Sequence, residues 1–77
     1  RLMNTQNIKN IVNDDDFKLV MQGMIDSHIQ TIINSNDSEV EVREKAYHRI
    51  AAIKELIGSL ESIVASEVID ENRFKIL

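Results

Sequence analysis

Cysteine and proline are absent from this 77-residue chain, glycine occurs twice, and the aromatics are two phenylalanines and one tyrosine. Without cysteine there are no disulfides and no thiolate metal sites, and two distant histidines are a poor basis for structural zinc. The missing thiols fit a reducing compartment. Phe17, Tyr47 and Phe74 are too few and too scattered for a base-stacking platform. No run approaches the roughly 18 apolar residues of a membrane span. The polar, Asn-rich start, Arg1 to Asp16, lacks the apolar block of a secretion signal. The expectation is a soluble, cytoplasmic protein. Met3 reads as the natural initiator, with Arg1 and Leu2 as additions ahead of it. There is no phosphate-cradling glycine loop and no nucleophile-elbow serine. Neither His28 nor His48 has the partners of a catalytic base, so no enzymatic activity, cofactor or metal is expected.

Nine basic against thirteen acidic residues give a net charge of −4. The densest basic group, Arg43, Lys45 and Arg49, is interleaved with Glu41 and Glu44, so its field largely cancels. Direct nucleic-acid binding is disfavoured. A chain this short buries only about 60–65% of the surface its unfolded form exposes. With disulfides and metal set aside, oligomerisation or very tidy helix packing must supply the missing stability.

What is present is helical periodicity. Asn4 to Asn13 carries Ile8, Ile11 and Val12 at helical spacing and suits a short helix or an arm. Asp14, Asp15 and Asp16 then supply an N-cap and negative charge for a helix start. From Phe17 an apolar stripe runs through Val20, Met21, Met24, Ile25, His28, Ile29, Ile32 and Ile33, and Asn34 to Asp37 ends it. His28 on that stripe reads as a core or interface histidine. His48, one turn after Glu44, reads as half of an exposed pair. Ser38 and Glu41 match a capping box. A second long helix follows with a heptad seam at Ala46, Ile50, Ile53, Ile57, Leu60 and Val64, flanked by Leu56 and Ile63. Gly23 and Gly58 inside the two helices suggest close helix approach. At the end, Arg73 to Leu77 alternates polar and apolar, which suits a short strand or extended tail.

These signals predict one all-α domain spanning residues 1–77. Its centre is an antiparallel helical hairpin, with helices at about 14–34 and 38–67. Residues 1–13 form a short N-terminal helix or arm, and 70–77 form a C-terminal tail. The short connection favours packing of the seam within the chain. Two helices cannot cover apolar faces this wide, so a second copy is expected to complete a four-helix, coiled-coil-like homodimer. The predicted interface residues are Ile50, Ile53, Ile57, Leu60, Val64, Phe17, Met21, Met24 and Phe74.

The run VREKAYHRIAAIKELIGSLESI, residues 42–63, resembles small helical proteins encoded by tailed bacteriophages in size, hairpin pattern and acidic balance. The resemblance covers under a third of the chain and carries over no functional residue. It implies a virion accessory or assembly protein, or a small host-takeover factor, placed in the host cytoplasm or the virion. Three functions follow in order. The first is a non-enzymatic protein-protein interaction or assembly module, self-associating and presenting an edge to a larger partner. The second is an acidic inhibitor or decoy for a host nucleic-acid-binding protein. The third is a small DNA-binding regulator that assembles Arg43, Lys45 and Arg49 from two chains.

Overall fold

Three helices make up the described chain: α1 Thr5–Asn13, α2 Asp15–Asn34 and α3 Val40–Ile76. The computed structural model describes the backbone of residues 4–76 and the side chains of residues 4–66. Met3, Leu77 and the side chain of Phe74 lie outside these. There is no strand among the described residues, and the chain is all-α.

Each helix start is made by local side-chain chemistry. At α1, the Asn4 carboxamide oxygen accepts from the N–H groups of Gln6 and Asn7 at 3.1 and 3.4 Å. At α2, the Asp14 carboxylate accepts from the Phe17 N–H at 2.8 Å, as the acidic cluster predicts. Asp15 and Asp16 follow in the first turn, against the positive end of the helix dipole.

The start of α3 corrects the sequence reading: the expected Ser38–Glu41 capping box does not form, and α3 begins at Val40 after a turn that Asn36 and Glu39 close. Asn36 Oδ1 accepts from the Ser38 N–H at 3.2 Å, and Glu39 Oε1 accepts from the Asn36 N–H at 3.0 Å. Two donors are thereby satisfied reciprocally. The Ser38 hydroxyl is a donor to Asn36 Oδ1 at 2.7 Å rather than the capping acceptor.

The far end of α3 is a second correction. The backbone remains helical through Ile76, past the predicted end near 67 and through the residues expected as a strand or extended tail. Five alternating residues cannot pair as a strand where no sheet exists, whereas a continuing helix satisfies each backbone group internally.

The third correction concerns the glycines. A methyl group added at Gly23 or Gly58 would meet nothing within 4 Å, so neither marks a close helix crossing within the chain.

α2 and α3 make the most extensive contact, and α1 packs mainly on α3. The molecule measures 60 × 23 × 22 Å with a radius of gyration of 17.3 Å. A compact chain of this length would have a radius of about 11–12 Å. The elongation follows from α3, whose 37 residues span about 55 Å, against about 30 Å for the 20 residues of α2. No helix among the described residues is long and apolar enough to cross a membrane.

Candidate interaction surface

The core of the single chain is thin. Among the described residues only Ile25, Ala46 and Ile53 are buried hydrophobics. The remaining seam residues, Ile50, Ile57, Leu60 and Val64, are half-buried, as are Phe17, Met21 and His28 on α2. The seam thus lies on the packed side of α3, and the predicted interface residues other than Met24 and Phe74 are at least partly covered within the chain. Met24 is exposed, and the side chain of Phe74 is outside the described residues.

A different set of apolar side chains faces solvent. Ile33 is 65% exposed, Tyr47 64% and Val40 50%, and Ile29 is 38% exposed. Leu19, Val20 and Leu56 are also exposed. Tyr47 stands edge-on to the His48 ring, with centroids 5.7 Å apart. The sequence stripe contained Ile29 and Ile33 but did not separate them from the residues covered by α3. The signal available was the spacing of Met21, Ile25, Ile29 and Ile33, four residues apart throughout, which makes them one ridge on α2.

Met21 and Ile25 of this ridge also help to line a groove of about 530 Å³ where the end of α1, the first half of α2 and the middle of α3 meet. Val12, Phe17, Met21, Ile25 and Ile57 supply its apolar lining, and Lys18 and Glu61 place one charge of each sign on its walls. Its size matches sites that take up several apolar groups.

The turn between α2 and α3 is fixed by Arg43. Its guanidinium donates to the Ser35 hydroxyl at 3.1 Å and to the carbonyls of Asn36 and Asp37 at 2.6 and 3.4 Å. The Ser35 hydroxyl in turn donates to the Ile32 carbonyl at 2.6 Å, one of the acceptors that a helix end leaves open. Arg43 is therefore occupied at the turn, and of the basic group only Lys45 and Arg49 face away from that task. Among the described residues no three His, Asp or Glu side chains group as metal ligands.

No protein-family model, curated protein or solved structure matches the chain.

Proposed function

We propose that the chain is a non-enzymatic assembly module, an antiparallel helical hairpin that pairs with a second copy and presents its remaining surface to a larger partner. The hairpin reading draws support from the five-residue connection and from the groove. Met21 and Ile25 of α2 share that groove with Ile57 and Glu61 of α3.

One observation carries the self-association. Among the described residues only Ile25, Ala46 and Ile53 are buried hydrophobics, whereas Leu19, Val20, Ile33, Val40, Tyr47 and Leu56 are each at least half exposed. More large apolar side chains face solvent than fill the core, and covering them is what a second copy would supply.

Light scattering coupled to size exclusion tests the proposal over micromolar dilution. The expected mass at the high end is twice 8.8 kDa. A chain that stays monomeric throughout, with cooperative unfolding independent of concentration, overturns it.

A further inference from the structure

We infer that two copies of the chain join by exchanging α1, each laying it in the seat on α3 that the other chain's α1 has left, with Asp14 as the hinge. This rests on the self-association proposed above and names the surface and its occupant. The chemistry of the occupant is given by the structure, in which α1 packs mainly on α3. A second copy brings the same helix to the same seat.

α1 is held lightly. Its half-buried side chains are Thr5, Ile8 and Val12, and none of its residues is buried. Nine residues are also too few for a helix to persist alone in water, so α1 needs a surface to lie on.

The hinge is a single residue. Asp14 has φ −70° and ψ 127°, so its φ is already in the helical range. Rotating ψ alone to about −42° joins α1 and α2 into one helix over 5–34, about 45 Å long. The Phe17 N–H, capped by the Asp14 carboxylate in the bent form, then bonds to the Asn13 carbonyl. The N–H groups of Asp15 and Asp16, open at the start of α2, gain the carbonyls of Ile11 and Val12. Three aspartates in mid-helix disfavour this form by propensity, which keeps the isolated chain bent.

Straightening also turns α1 around. Successive helical residues point about 100° apart. In the joined helix the covered side chains of α2, Phe17, Met21, Ile25, His28 and Ile32, centre on one direction. Thr5, Ile8 and Val12 centre about 170° away from it. The bend is what lets both faces meet the same α3. Without it, α1 faces away from its own α3, and only another molecule can cover it. Each chain then has one α1 to give and one empty seat to fill, so the exchange is reciprocal and closes at two copies.

Two hinge variants test this by light scattering coupled to size exclusion on the full chain. Asp15→Pro stands at the first residue of α2, where the N–H has no helical partner and proline is favoured. It confines Asp14 to the extended region that Asp14 already occupies and so locks the bend. Self-association should weaken about 100-fold or more, because the joined helix would carry an interior proline. Far-UV circular dichroism checks that this variant is folded. Asp14→Ala acts in the opposite sense, removing a cap that only the bent form uses. It should tighten self-association about 30-fold, one cap being lost from each chain of the pair.

A wild-type dimer that neither variant shifts would overturn the exchange and leave the assembly reading standing. So would a dimer that Asp14→Ala weakens. Wild type and Asp14→Ala both monomeric at high micromolar concentration would sink the two together.

Discussion

The two junctions of the chain are built on different scales. Between α1 and α2 there is one residue, Asp14, whose carboxylate holds the Phe17 N–H at 2.8 Å and whose own N–H returns to the Ile11 carbonyl at 3.2 Å. Between α2 and α3 there are five residues, held by Asn36, Glu39, Ser35 and the fork of Arg43. α1 contains no buried residue, whereas α2 contributes Ile25 and α3 contributes Ala46 and Ile53. Local opening follows regions of few buried contacts. The difference predicts that α2 and α3 form the more stable unit and that α1 detaches from α3 at lower free energy.

The strongest way to break this contrast is Arg43→Met, which keeps the apolar stem and removes the donors. Three charge-assisted bonds to a partly exposed turn should be worth about 1–2 kcal/mol in urea unfolding. Arg43→Lys should recover little, because a single ammonium cannot reproduce a two-nitrogen fork. A loss below about 0.3 kcal/mol for Arg43→Met would show that the turn holds itself and that the junctions are equal.

Arg43 also shows where sequence reading reaches its limit. The all-α class, the bounds of α2 and the Asp14 cap were legible, because periodicity and capping act within a few residues of chain. The start of α3 was not. Ser38-x-x-Glu41 matches the capping pattern, yet Asn36 and Glu39 close a turn ahead of the helix, which begins at Val40. That turn is held by Arg43, which grips the Asn36 and Asp37 carbonyls from beyond the pattern. The surface was legible only in outline. A wide apolar stripe announces that more than one neighbour is needed, but the stripe does not say which edge the first neighbour covers. Ile25 and Ile29 are four residues apart on the same ridge, and only packing distinguishes the buried one from the exposed one.

A smaller effect is expected at the other junction. Asp14→Ala removes the α2 cap at a cost of about 1 kcal/mol, and Asp14→Ser should retain most of it. Because α1 is the less anchored element, the change should appear first as faster hydrogen exchange at the amides of residues 5–13. Amides around Ile25 and Ile53 should keep their protection. Uniform loss of protection across all three helices would mean that α1 and α2 open as one unit, and the contrast between the junctions would fall.

The smallest effect concerns the helix bodies rather than their ends. Gly23 and Gly58 are both helical with negative φ, and both have open space where a Cβ would stand. Alanine there should stabilise the chain by about 0.5–1 kcal/mol, since glycine loses more backbone freedom on folding. The two sites differ in direction. Gly23 points nearly opposite to Ile25, about 160° around α2, away from α3 and from the ridge. Gly58 lies about 140° from Ile53, on the side to which Glu61 and Tyr47 turn. Both variants should show the gain in thermal unfolding, and Gly23→Ala should show it equally at every protein concentration. A gain for Gly58→Ala that shrinks as concentration rises would place a contact between copies beside Gly58, whereas a loss of stability for either variant at high dilution would mean that the added methyl is not in open space.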